Sequence, residues 1–197
     1  MITSRDKEIL KFIEEYRALT IFQAYRIFFN ESKYGYNIAR RRLSQLEEIG
    51  MLKSCKNKSS NQKVYYMENP VSAHDLFVID FYSLLVFNHC KNIIFKTQPR
   101  YLNGQIRPDA YLKYEYGEEM YFILLEVDFT HFTNLIKFQT YEILLREGEI
   151  QKDCFGIFPS IVVMGVERDI KYESKNLNIV NLDVNLKDFG KQILGIA

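Results

Sequence analysis

The sequence predicts an α+β protein in two parts: three helices closed by a basic hairpin, then a mixed α/β unit. Three observations predict it. Apolar residues recur at helical spacing through the first part of the chain, up to Gly50. Positive charge is concentrated there, residues 1–69 carrying 13 Lys+Arg against 8 Asp+Glu while 70–197 carry 13 against 17. Beyond residue 70, runs rich in Val, Ile, Tyr and Phe alternate with helical stretches, the order of a sheet flanked by helices.

In "SRDKEILKFIEEY", from Ser4 to about Tyr16, a Ser cap and acidic first turns precede Ile9, Leu10, Ile13 and Tyr16 at helical spacing. A second helix starts at Thr20 as cap and runs through "IFQAYRIFF", with Phe22, Tyr25 and Phe29 among its apolar residues; "NESKYGY" breaks it. The third, "YNIARRRLSQLEEIG", buries Ala39, Leu43, Leu46 and Ile49 in one stripe, and Gly50 stands where a left-handed residue ends a helix. Opposite that stripe fall Asn37, Arg41 and Ser44, flanked by Arg40 and Gln45. "MLKSCKNKSSNQKVYYM" then has two strand-like ends around a polar centre, a hairpin carrying Lys53, Lys56, Lys58 and Lys63.

Three helices followed by a basic hairpin is the order of a winged helix-turn-helix, in which the third helix enters the major groove and the wing touches phosphate. A solvated helix face would also carry an Arg triplet. The position of the arginines at the front of the third helix, directly before the wing, favours the DNA-facing reading.

The segment "ENPVSA", Glu68 to Ala73, reads as a linker, giving expected domains of 1–69 and 70–197. "AHDLFVIDFYSLLVFNH" is a largely buried helix and "NIIFKTQ" a strand. Then comes "RPDAYLKYEYGEEMYFILLEVD", two β-forming arms around a turn. "HFTNLIKFQTYEILLREG" is amphipathic and ends at Gly148; "SIVVMGV" is a central strand, "ERDIKYESKN" a short polar helix and "LNIVNLD" a last strand.

If Gly117 and Glu118 form a two-residue loop, Asp109 lies opposite Glu126, and strand alternation puts Asp128 on the same face. Three converging carboxylates repel unless protonated or bridged by a cation, and hard oxygen donors suit Mg²⁺ or Mn²⁺. Such an ion polarises a phosphodiester and activates water. Solvated charges at strand ends are the alternative, although "ILLEVD" sets its acids beside a core, where burial needs a partner.

Pro108-Asp109, a hairpin and Glu126-Val127-Asp128 resemble the PD-(D/E)xK nuclease core. That resemblance implies a restriction-endonuclease-like fold, with Asp128 standing where such enzymes carry lysine. Lys137, in the next helix, is the candidate replacement, and Tyr141 shares its face. The whole order, from about Asp6 to Asp183, is similar to the replication-relaxation family of plasmid and mobile-element proteins, in which a Glu-x-Asp strand motif recurs. What this implies is sequence-specific binding of double-stranded DNA in replication, transfer or transcriptional regulation, with the nuclease-like domain as scaffold. Cleavage by a metal-dependent endonuclease or nickase using Asp109, Glu126, Asp128 and Lys137 ranks second. The expected cofactor, if any, is Mg²⁺ or Mn²⁺; expected partners beyond DNA are replication or transfer proteins and a second copy of the chain.

A content of 47% hydrophobic and 15% aromatic residues can build a core in 197 residues. Cys55, Cys90 and Cys154 show no CxxC spacing, so reduced thiols are expected. His74, His89 and His131 are isolated, which sets aside a histidine-cluster relaxase. No apolar run reaches membrane-spanning length and no leader is evident, so a cytoplasmic protein is expected.

Overall fold

The computed structural model describes residues 2–57, 60–129, 134–166 and 172–196. Among these the chain is α+β, with six α-helices and two sheets, one of three antiparallel strands and one of five mixed strands. It divides into two compact units, Met1–His89 and Cys90–Ala197.

In the first unit, α1 (Ser4–Tyr16) is capped by Thr3, one residue before the expected Ser4. Thr3 accepts from the Asp6 N–H while the Asp6 carboxylate accepts from the Thr3 backbone, a reciprocal capping box. Its buried face is Ile9, Phe12 and Ile13; Leu10 and Tyr16 only flank it. Strand β1 (Ala18–Thr20) was not expected from the sequence. It is too short to show a periodicity, yet it pairs antiparallel with Val64, Tyr65 and Tyr66. Thr20 caps α2 (Ile21–Phe28) through a second capping box with Gln23. Helix α3 (Gly35–Glu48) buries Ala39, Leu43 and Leu46 as expected. Ile49 departs from that stripe and is 60% exposed, because the chain leaves the helix there, turning at Gly50 with φ +77°.

Strands β2 (Lys53–Lys56) and β3 (Lys63–Tyr66) form the expected hairpin, and the sheet order is β1-β3-β2. Helix α4 (Ala73–Phe87) packs on this unit, so the division falls after His89 and not at the expected 69/70 boundary. The reason is a polar junction under an apolar one. Buried Gln23 donates from Nε2 to the Leu76 carbonyl (2.9 Å) and to Asp80 (3.0 Å), while Arg26 reaches Ser83 (3.3 Å). Ile79 and Tyr82 join the core built by α1, α2 and α3.

The second unit is a sheet in the order β4 (Lys91–Thr97), β5 (Ala110–Tyr116), β6 (Glu119–Asp128), β7 (Ser160–Gly165), β8 (Ile179–Asp183). The first three run antiparallel and the last three parallel. Helix α5 (Leu135–Glu147) connects the parallel neighbours β6 and β7, and Gly148 ends it with φ +66°. Its Phe138, Tyr141 and Leu144 pack against Phe122, Leu124, Ile161 and Val163. The polar helix expected over 167–176 lies partly outside the described residues, and the described remainder, 172–176, is not helical. A short helix, α6 (Phe189–Ile193), closes the unit, its Ile193 carbonyl accepting from the buried Tyr114 hydroxyl.

Candidate functional site

Two places, one in each unit, bring together the residues singled out in the sequence. In the first unit they lie on the outer face of α3. Its helical spacing commits Ala39, Leu43 and Leu46 to the core, which turns Asn37, Arg40, Arg41 and Gln45 outward, with Ser44 half-buried. The arginine triplet divides. Arg42 turns back to α1, donating from Nε to Asp6 (2.9 Å) and from its terminal nitrogen to the other carboxylate oxygen. Burial would raise the Asp6 carboxyl, but Arg42 and the Thr3 donors outweigh it and hold the group below its usual range. Arg40 and Arg41 have no carboxylate partner among the described residues. They border an open concavity with Tyr34, Asn37, Ile38 and Ser44.

The other basic candidates separate in the same way. Lys53 and Lys56 stand exposed on β2, and Lys58 lies outside the described residues. Lys63 is otherwise engaged: its ammonium pairs with Glu47 at 2.6 Å and sits over the Tyr65 ring. Glu47 is further held by the Ser54 hydroxyl at 2.6 Å, so Lys63 braces the hairpin against α3 instead of offering a free charge. Gln45 is also taken, its Oε1 accepting from Arg42 at 2.7 Å.

In the second unit, the hairpin register is the one the turn dictates. Gly117 has φ +63°, Tyr116 pairs with Glu119, and Ala110 pairs with Leu125, which sets Asp109 across from Glu126. Asp109 precedes β5, and its N–H donates to the Leu125 carbonyl at 2.9 Å. Its Oδ2 accepts from the Val127 N–H at 2.8 Å, pinning the carboxylate to the adjoining strand.

Glu126 shares a strand face with Leu124, directed into the α5 side of the core, and is only 1% exposed. Asn134 caps α5 by accepting from the Lys137 N–H (2.9 Å), which places Lys137 in the first turn and Tyr141 one turn later. The Lys137 ammonium meets one Glu126 oxygen at 2.5 Å and the Tyr141 hydroxyl donates to the other. Burial raises the Glu126 carboxyl to about 7; Lys137 opposes that rise and Asp109 adds to it. Burial and the adjoining Glu126 push the Tyr141 hydroxyl well up, so it acts as a donor.

The three-carboxylate cluster expected from strand alternation is therefore corrected. The charges that bear on Glu126 are those of Lys137 and Asp109; Asp128 ends the same strand, half-exposed. Among the described residues no group of three or more His, Cys, Asp or Glu side chains is arranged to hold a metal ion. A divalent cation at Glu126 and Asp109 would share their carboxylate oxygens with Lys137, Tyr141 and the Val127 N–H. As arranged, the cluster holds a proton or a lysine charge on a buried carboxylate.

The sequence reading missed Tyr34 and the inward turn of Arg42. Neither has a clear signal: Tyr34 precedes the helix outside any apolar period, and Arg42 differs from its neighbours only through Asp6, 36 positions away. No family model matches the chain, and neither curated proteins nor solved structures yield a match. No helix among the described residues is long and apolar enough to cross a membrane.

Proposed function

We propose that the protein is a sequence-specific double-stranded DNA-binding protein, its N-terminal unit acting as a winged helix-turn-helix with α3 in the major groove and the β2–β3 hairpin as wing. The observation that carries this reading is the division of the arginine triplet. Arg42 is spent on Asp6, whereas Arg40 and Arg41 stand out from the helix front with no carboxylate partner among the described residues, beside Asn37. Guanidiniums recognise phosphate and guanine edges, and a carboxamide pairs with adenine. Exposed Lys53 and Lys56 add phosphate contacts from the hairpin. Placement on a plasmid or other mobile element, in replication, transfer or regulation, rests on the motif order described above. A footprint on DNA flanking its gene tests it; a palindromic protected site points to a dimeric regulator.

The test of the groove assignment is salt dependence. Arg40→Ala and Arg41→Ala each weaken duplex binding and reduce the log-log salt slope by about 0.9 per lost phosphate contact. Unchanged isotherms in both variants remove α3 from the interface.

One observation favours cleavage as a second reading: Lys137 reaches Glu126 from the following helix, beside Asp109. That supplies a lysine where the strand motif has Asp128. Under the binding reading, supercoiled plasmid stays intact when incubated with the protein and Mg²⁺ or Mn²⁺. Nicking that is lost in Asp109→Ala establishes the enzyme instead.

A further inference from the structure

We propose that the front of α3 holds a stacking site for an unpaired nucleobase, with Tyr34 as its platform, so that the N-terminal unit prefers DNA in which unpaired nucleotides adjoin a duplex. This rests on the DNA-binding reading above and goes beyond it in naming the form of DNA.

Tyr34 occupies the N-cap of α3 and makes no side-chain capping bond. Ser, Thr, Asp or Asn there would stabilise the helix, and the other long helices of this unit have such caps in Thr3, Thr20 and Ser72. The side chain does nothing for the helix it precedes. Nor does it serve a core, being 65% exposed. The neighbouring aromatics differ. Phe22, Tyr25 and Tyr36 pack on one another with ring centroids 5.6–6.5 Å apart, and Arg26 covers Phe22. Tyr34 has no ring neighbour among the described residues, which leaves its π face open.

The surroundings of that ring supply what an unpaired nucleotide needs. Tyr34 lines an open concavity with Ile38, one turn on, as an apolar neighbour and with Asn37, Ser44, Arg40 and Arg41 as polar ones. No carboxylate among the described residues lines it. A carboxamide and a hydroxyl can satisfy a base edge, and two guanidiniums can hold the flanking phosphates. Within an intact duplex the base faces are covered by their neighbours, so only edges are offered to a ring. An unpaired base offers its face, and stacking on an aromatic side chain tightens binding roughly fivefold or more per base. A protein partner would meet the same ring, but the two unneutralised guanidiniums match the regular negative charge of a nucleic acid backbone.

The experiment uses the full chain and two dye-labelled probes of the same mixed-sequence duplex at low ionic strength. One is blunt; the other bears a short unpaired tail containing a fluorescent adenine analogue that is quenched when stacked. The tailed probe binds roughly fivefold or more tightly, with quenching of the analogue. Tyr34→Ala removes both the preference and the quenching; Tyr34→Phe retains both. Arg41→Ala weakens both probes alike. Equal affinity for the two probes, or quenching that persists in Tyr34→Ala, overturns the proposal and leaves duplex binding standing. Absence of binding to either probe overturns both readings.

Discussion

Burial governs Glu126, and its consequence is a measurable pH dependence. Burial pushes the Glu126 carboxyl up from the ordinary glutamate value of 4.5 to about 7. Between those values the folded state keeps a proton that the unfolded state releases, so stability is full below the lower value and declines as pH rises towards the upper one. Glu126→Gln keeps a carbonyl oxygen for Tyr141 and removes the ionisation. Expected is a smaller loss of urea midpoint for the C-terminal unit between about pH 5 and about pH 8 than in the parent. An equal loss in both proteins places the titration elsewhere. The sequence made Glu126 legible as a buried acid because it ends an apolar run, and made the Asp109 pairing legible through the turn. It also offered Lys137 as the lysine of the following helix, but whether that ammonium meets Glu126 depends on where Asn134 starts the helix.

At the level of elements, the turn between α2 and α3 is set by Gly35. A Cβ there would come within 2.0 Å of the Phe29 carbonyl oxygen and 2.9 Å of the Tyr25 ring. Backbone cannot yield as a flexible side chain would, so Gly35→Ala is expected to destabilise the N-terminal unit by about 1–3 kcal/mol or more and to weaken DNA binding by shifting α3. Gly117→Ala is the contrast: nothing stands within 4 Å of the new Cβ, and only the positive φ of +63° opposes it. Its expected cost is about 1–2 kcal/mol, confined to the hairpin of the other unit, with DNA affinity unchanged. Thermal melts and anisotropy on the two variants check both statements. Helices α1 to α5 and the long strands were readable because each holds enough residues to show its period, whereas the five-residue α6 was not. Strand β1 was not, since three residues show no alternation and it exists by pairing with β3.

Over the whole molecule, the charge asymmetry survives the division seen in the structure. Residues 1–89 carry 13 Lys+Arg against 10 Asp+Glu, and 90–197 carry 13 against 15. The N-terminal unit keeps its surplus even after α4 brings Asp75 and Asp80 to it. Because Gln23 is buried and bonds to the Leu76 carbonyl and Asp80, α4 completes that unit. A fragment spanning 1–89 is expected to melt cooperatively and retain duplex binding. A fragment spanning 1–69 leaves Gln23 and the core surface beneath Ile79 exposed, and is expected to melt broadly or not at all. Equal melting of the two fragments removes α4 from the unit.

Period and turn chemistry act between near neighbours, and they sufficed for the α+β class, most element positions, the Asp109–Glu126 register and the outward face of α3. Contacts between distant residues settled the rest: Arg42 was withdrawn to Asp6, Lys63 to Glu47, Lys137 was delivered to Glu126, and α4 was assigned to the first unit. A charged side chain reads the same in sequence whether it faces water or a buried partner. Which of the two it meets is a matter of desolvation and pairing across the fold.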